Sequence, residues 1–238
     1  MNGKRAIILA GGKGTRLRPY TVVLPKPLMP IGEYPILEVI VRQLAISGFS
    51  HLTMAVNHQS DIIKSFFGDG SKWNIDIDYS LEYQSLGTMA PLKLINDLPE
   101  NFLVLNGDVL TDLDFSNFFH QHLNQKNLFS ISTSLREHIV DYGVLKTDSN
   151  NQLVKFIEKP NYQYQVSMGV YALNRKVLDY IPSKKTFGFD DLMYKLLYKN
   201  KVVKILEHDG YWLDIGRPDD YMQAIDAFEE NKKSFLHE

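Results

Sequence analysis

A short, largely apolar run, Arg5–Leu9, bounded by glycines, opens the chain, and the segments after it switch repeatedly between strand and helix periodicity. An apolar run with no alternation is what a strand buried on both faces looks like, and such burial is typical of parallel sheets covered by helices. Ile36, Leu37, Ile40, Val41 and Leu44 then recur at spacings of three and four, with Gly48 where a helix C-cap would fall. Leu52–Val56 reads as a second strand, Ser60 to Gly68 as a helix, Ile75–Tyr79 as an alternating strand and Phe102–Leu105 as a fully apolar one. Helix Phe115–Gln125 and strand Leu128–Thr133 continue the series. Strands are expected at Val144–Thr147, Leu153–Glu158, Val166–Leu173 and Val202–Leu206, and helices near Asp190–Tyr198 and Pro218–Lys232. This order implies an α/β fold: a mainly parallel, mixed sheet flanked by helices on both faces. No repeat or linker divides the 238 residues, so one domain is expected. In such sheets ligands sit beyond the carboxyl ends of the strands, which gives motifs that follow strands the most weight.

Composition narrows the chemistry. The chain has no cysteine, which excludes disulfides, thiolate metal sites and cysteine nucleophiles, and fits a reducing compartment. The apolar run Ala6–Ala10 is too short to span a membrane and no cleavage site follows it, so a cytoplasmic protein without a membrane partner is expected. A net charge of −2 speaks against a general nucleic-acid binder. The charge is unevenly spread: residues 1–32 hold Lys4, Arg5, Lys13, Arg16, Arg18 and Lys26 and no acid, which points to a small anionic ligand near the start of the chain.

The loop behind the first strand, Gly11-Gly12-Lys13-Gly14-Thr15-Arg16-Leu17, suits such a ligand. Its glycines uncover backbone N–H groups and permit positive φ, while Arg16 can grip phosphate in a bidentate manner. It is not a P-loop, because Ile7 stands at the first glycine position and Gly14 follows Lys13. Nor is it a dinucleotide fingerprint, which needs glycine at Leu17.

With Pro25-Lys26-Pro27-Leu28 behind it, the loop resembles the signature of the sugar-1-phosphate nucleotidyltransferase family, whose members join a nucleoside triphosphate to a sugar 1-phosphate and release pyrophosphate. The resemblance runs along nearly the whole chain. Leu86-Gly87-Thr88 is similar to the family's base-contact loop, Asn106-Gly107-Asp108 to its metal-binding strand end, and Trp212-Leu213-Asp214-Ile215-Gly216 to its second metal-binding segment. Tyr142-Gly143, Glu158-Lys159-Pro160 and Met168-Gly169 take the places of its sugar-binding segments.

The resemblance implies a Rossmann-like nucleotide-binding half at about 1–110, a sugar-binding half at about 111–238, and Mg²⁺ held by Asp108 and Asp214. By the same token Arg16 would stabilise the departing pyrophosphate and Lys26 the α-phosphate. Gly11, Gly12, Gly14, Thr15, Glu82, Gly87 and Gly107 would contact the nucleotide. Lys159 would hold the sugar phosphate, Glu158 the sugar hydroxyls, and Tyr142, Gly143, Met168 and Gly169 would line the sugar pocket. Glu82 stands where thymidylyl members carry glutamine, and a carboxylate acceptor suits the N1–H and N2–H₂ donors of guanine. The segment around Pro91 looks closest to guanylyltransferases for mannose-1-phosphate or a manno-heptose-1-phosphate, so GTP is the expected donor, with uridylyl or thymidylyl transfer as the alternative. Met89 and Ala90 replace the family's small Ala/Gly pair, and Ser167 stands where many relatives have asparagine.

Other signals carry different readings. Asp112-Leu113-Asp114 admits a metal-dependent glycosyltransferase, although acids at a helix N-terminus are the simpler account. His120 and His122 would face different sides of their helix and are expected at the surface rather than on a metal. Some relatives are non-catalytic regulatory subunits, but the charged set Arg16, Lys26, Asp108, Lys159 and Asp214 is intact here. A homo-oligomer is compatible with the sequence, which carries no signal of assembly.

Overall fold

The structure, a computed structural model, describes residues 3–57, 59–183 and 185–236. Strand β1 (Lys4–Leu9) leads through the glycine loop and three short 3₁₀ turns to a small hairpin, β2 (Pro30–Ile31) and β3 (Tyr34–Pro35), and then to helix α1 (Ile36–Ile46). Next come β4 (Phe49–Val56), α2 (Ser60–Phe67), β5 (Asp76–Leu81), β6 (Asn101–Asn106) and the short β7 (Val109–Thr111). Helix α3 (Phe115–Asn124), β8 (Phe129–Ile139), the hairpin β9 (Val144–Thr147) and β10 (Leu153–Ile157), and β11 (Asn161–Asn174) follow. The chain continues with α4 (Phe189–Tyr198), β12 (Val203–Glu207), β13 (Trp212–Asp214) and α5 (Pro218–Leu236).

Seven strands form one sheet in the order β12-β8-β11-β6-β1-β4-β5. β1 runs parallel to β4 and β6, β4 to β5, and β8 to β12; β11 alone is antiparallel to its neighbours. The expected mixed, mainly parallel sheet is therefore present, and strands from both halves of the chain share it. Successive side chains of β1 enter different cores: Ile7 packs with Phe102, Val104, Leu192 and Leu196, whereas Ala6 and Ile8 pack with Leu37, Ile40, Phe115 and Phe119. Each fully buried side chain of this size contributes about 1.5–3 kcal/mol, which is why β1 and β6 need apolar residues on both faces. A third cluster joins Leu17, Met29 and Ile31 from the loops after β1 to Leu213 and Ile215 around β13 and to Tyr221, Phe228 and Phe235 of α5. That cluster fastens the two ends of the chain to each other beside the carboxyl edge of the sheet.

Two strands are longer than their apolar patterns predict. Beyond Thr133, β8 leaves the sheet with β11 as a two-stranded ribbon, pairing as far as Ile139 with Asn161. The ribbon residues of β8 are largely exposed, so nothing in their polarity marks them as strand. The pair β7 and β13, three residues each, is too short for any periodicity to show.

His122 corrects the expectation that both histidines lie at the surface. It is fully buried, with Nδ1 2.8 Å from Ser130 Oγ and Nε2 3.3 Å from Asn101 Oδ1. It follows Phe115, Phe118 and Phe119 on the inner face of α3 at helical spacing, and burial lowers its pKa to about 4. His120 is exposed as expected. Asp114 caps α3 by accepting the Asn117 N–H at 2.9 Å, while Asp112 meets His208 Nε2 at 2.8 Å. The two aspartates thus have separate structural partners. Among the described residues no helix is long and apolar enough to cross a membrane.

Candidate active site

A cleft of about 280 Å³ opens at the carboxyl edge of the sheet. Its walls come from the ends of successive strands: Gly11 and Gly12 after β1, Asn57 after β4, Glu82 after β5, and Asn106 and Asp108 after β6, with Gly87 and Thr88 closing one side. Of Gly11, Gly12 and Gly14, only Gly14 takes a positive φ, at +59°. A Cβ there would stand 3.0 Å from Thr21 and 3.1 Å from Lys26, and the Gly14 carbonyl accepts the Thr21 hydroxyl at 2.7 Å. Close packing at Gly14 therefore holds the glycine loop against the Lys26 segment. Gly11 and Gly12 instead leave the cleft wall bare, and Gly107 is packed beside Leu9 and Ala10.

The charged side chains converge from distant positions. Lys26, on a short turn between two prolines, is buried and forms an ion pair with Asp108. The antiparallel pair β7/β13 sets Val109 opposite Asp214, and the Ile215 N–H donates to the Asp108 carbonyl at 3.1 Å. Arg16, exposed on the turn Thr15–Leu17, reaches the same place: a Cβ on Gly216 would lie 3.2 Å from Asp214 Oδ2 and 3.4 Å from an Arg16 guanidinium nitrogen. Burial, and then the charge of Asp108, push the Asp214 pKa up; Lys26 and Arg16 pull the other way. Asp214 is therefore incompletely neutralised by the cations around it. Among the described residues no group of three or more acidic, histidine or cysteine side chains could hold a metal ion. The pair nevertheless fits Mg²⁺, which takes one or two carboxylates and completes its octahedron with water and phosphate.

At the other end of the cleft Glu82 is buried, and burial raises its pKa. Its Oε2 accepts the Leu86 N–H at 3.3 Å, while Oε1 faces Gly11, where a Cβ would lie 3.2 Å from it. Backbone bonds tie the Gly87 loop to Phe187: Leu86 accepts from Phe187 N–H at 2.8 Å, and Met89 and Ala90 donate to the Phe187 carbonyl at 3.0 and 3.1 Å. Met89, which departs from the family pattern, points into the core rather than the cleft.

The sugar segments divide. Gly169 sits against Asn106 of the cleft wall, but the Met168 side chain is in the core and its carbonyl accepts the Trp212 indole N–H at 2.9 Å. Gly143 and Glu158 do meet each other, at the outer end of the ribbon, where the Val140 N–H donates to the Pro160 carbonyl at 3.0 Å. Tyr142, Gly143, Glu158 and Lys159 are all exposed, and none of them lines the cleft.

The sequence model of the family described as nucleotidyl transferase matches residues 5–231. The chain belongs to the nucleotidyl transferase family. It is 34% identical over 241 residues to the UTP–glucose-1-phosphate uridylyltransferase of Synechocystis, covering 93% of this chain. It is 33% identical over 231 residues to the catalytic subunit beta of the mannose-1-phosphate guanylyltransferase of Drosophila melanogaster, covering 94% of this chain. The chain spans 62% of the length of either relative. Among solved structures, HddC from Yersinia pseudotuberculosis superposes with a TM-score of 0.74 at 28% identity, over 94% of this chain and 99% of that one. A putative glucose-1-phosphate thymidylyltransferase from Bacillus anthracis superposes with a TM-score of 0.73 at 26% identity, over 94% of both chains.

In this member of the family the cleft is also lined by Asn57, Ser85 and Asn106, to which the sequence analysis assigns no role. A signal for Asn57 was present: it is the first residue after the second parallel strand, where the carboxyl-end rule places ligands. Asn106 has no separate signal in the sequence, because it stands inside the motif that carries Asp108.

Proposed function

We propose that this chain transfers a nucleoside monophosphate from a nucleoside triphosphate to a sugar 1-phosphate, with loss of pyrophosphate. The observation that carries the reading is that Lys26, Asp214 and Arg16 gather around Asp108, which lines one cleft together with the bare glycine wall. A phosphate oxygen of the sugar 1-phosphate attacks the α-phosphorus; the bond from that phosphorus to the β-phosphate oxygen breaks, and pyrophosphate leaves with the electron pair. No covalent intermediate on the protein is needed, so positioning and charge neutralisation supply the catalysis. Arg16 neutralises the departing pyrophosphate. Lys26 exchanges its contact with Asp108 for the α-phosphate as charge grows there. Mg²⁺ bound by Asp108 and Asp214 would neutralise phosphate oxygens.

The half of about 1–110, with Thr15 and Gly107, is assigned chiefly to the nucleotide, and that of about 111–238 chiefly to the acceptor. For Tyr142, Gly143, Glu158 and Lys159 the support is the resemblance of their motifs. For the base, Glu82 offers in the cleft an Oε1 that bonds to none of the described residues, the acceptor that guanine donors call for. HddC has also been solved in complex with GMP-PN, and that structure superposes on this chain with a TM-score of 0.70. GTP with mannose-1-phosphate or a manno-heptose-1-phosphate is thus the favoured pair. The likeness to the Synechocystis uridylyltransferase favours UTP as the second reading.

Pyrophosphate release measured with GTP, UTP, dTTP, CTP and ATP against a panel of sugar 1-phosphates tests both levels. Turnover fastest with GTP and a mannose-type acceptor is expected. A pyrimidine preference rejects the guanine assignment, and no turnover with any pair rejects the transferase reading in favour of a regulatory subunit.

A further inference from the structure

Asn106 is out of place as a strand residue. It ends β6 after four apolar residues, Phe102–Leu105, all of them fully buried. Asparagine is depleted in strands, and a half-buried carboxamide is costly when no hydrogen bond compensates it. Its carboxamide is bonded to none of the described residues, yet it lines the cleft two residues before Asp108.

The sheet reserves space for this side chain. Across the β6/β11 pair, where Leu105 stands opposite Val170, the next residue of β11 is Gly169. Gly169 is left-handed, with φ +74°, and a Cβ there would lie 2.6 Å from Asn106 Nδ2. A side chain at 169 and the Asn106 amide cannot occupy the same volume.

The position of Asn106 in the strand order suggests what it binds. The glycine wall, Asn57 and Glu82 come from β1, β4 and β5, so the nucleotide takes that side of the cleft. Asn106 lies on the opposite side, at the seam between β6 and the reversed strand β11. On the transferase reading, an acceptor that reaches the α-phosphorus from the side away from the nucleotide's strands would enter by this seam. We propose that Asn106 is a binding residue for the acceptor sugar, its carboxamide meeting a hydroxyl of the sugar 1-phosphate. A carboxamide can donate from nitrogen and accept at oxygen, so it suits a hydroxyl in either orientation. This inference rests on the transferase reading.

The test uses the full chain with the fastest donor and acceptor of the wild-type panel, GTP and mannose-1-phosphate on the present reading. In Asn106→Ala the KM for the sugar 1-phosphate should rise about tenfold, the size of one lost neutral hydrogen bond, while the KM for the triphosphate stays within about twofold. Equilibrium binding of the sugar 1-phosphate, with a non-hydrolysable triphosphate analogue present, should weaken by the same factor. Asn106→Asp, equal in size but with a negative charge beside a phosphate-bearing ligand, should weaken it further, and it gives the answer if the alanine variant melts early. Unchanged constants in active variants overturn the assignment and leave the transferase reading standing. A rise confined to the triphosphate places Asn106 on the nucleotide and overturns it too, as does an equal rise for both substrates. A wild-type chain inactive with every pair removes both readings together.

Discussion

Acid should destabilise this fold through His122. The imidazole has an ordinary pKa of 6.5 but is held at about 4 by burial between α3 and the sheet. As pH falls below about 6.5 the unfolded chain takes up a proton there that the folded chain refuses, and stability is lost until about pH 4. At about pH 5 the difference amounts to ~2 kcal/mol relative to neutral pH. Urea unfolding of the wild type and of His122→Gln at about pH 7.5 and about pH 5 isolates the effect, because carboxylates common to both proteins titrate alike. At the higher pH the variant should be weaker by about 1–3 kcal/mol, having lost a buried partner for Ser130 Oγ and Asn101 Oδ1. On acidification, however, the wild type should lose about 2 kcal/mol more than the variant. Equal losses would refute the claim that His122 is kept neutral by its burial.

The remaining predictions concern the cleft. Arg16→Ala should lower kcat by about 10²–10³ with its melting temperature unchanged, as for one lost transition-state charge donor; near-normal turnover removes Arg16 from the mechanism. Asp214→Asn should be inactive yet melt higher than the wild type at neutral pH, because burial and Asp108 disfavour the charged form of Asp214. That advantage should shrink as the pH falls and the wild-type carboxyl takes up its proton, and a lower melting temperature at neutral pH would contradict it.

Much of the fold could be read before any coordinates because helices and strands bury their apolar faces at different periods. The run Arg5–Leu9, the α1 positions from Ile36 to Leu44 and the strand Phe102–Leu105 each announce themselves that way. The glycine loop was legible for a related reason: bare backbone amides and cations after a first strand leave few other uses. Periodicity fails where burial is one-sided or absent. The ribbon of β8 and β11 is exposed, β7 and β13 are too short to repeat anything, and the polarity of His122 suggests the surface although its spacing continues the phenylalanine face of α3.

Taken alone, the chain's residues determined which groups are available for chemistry: the cations of the first 32 residues, the aspartates at 108 and 214, and a carboxylate at 82. Only the tertiary structure decided which of them meet. Lys26, Asp108, Asp214 and Arg16 come together because β7 pairs with β13 and a shared apolar cluster clamps the loops after β1 onto α5. Such contacts depend on long-range packing, which local sequence does not encode. The same packing set Asn106 against a glycine across the sheet and left Tyr142 and Lys159 out on the ribbon.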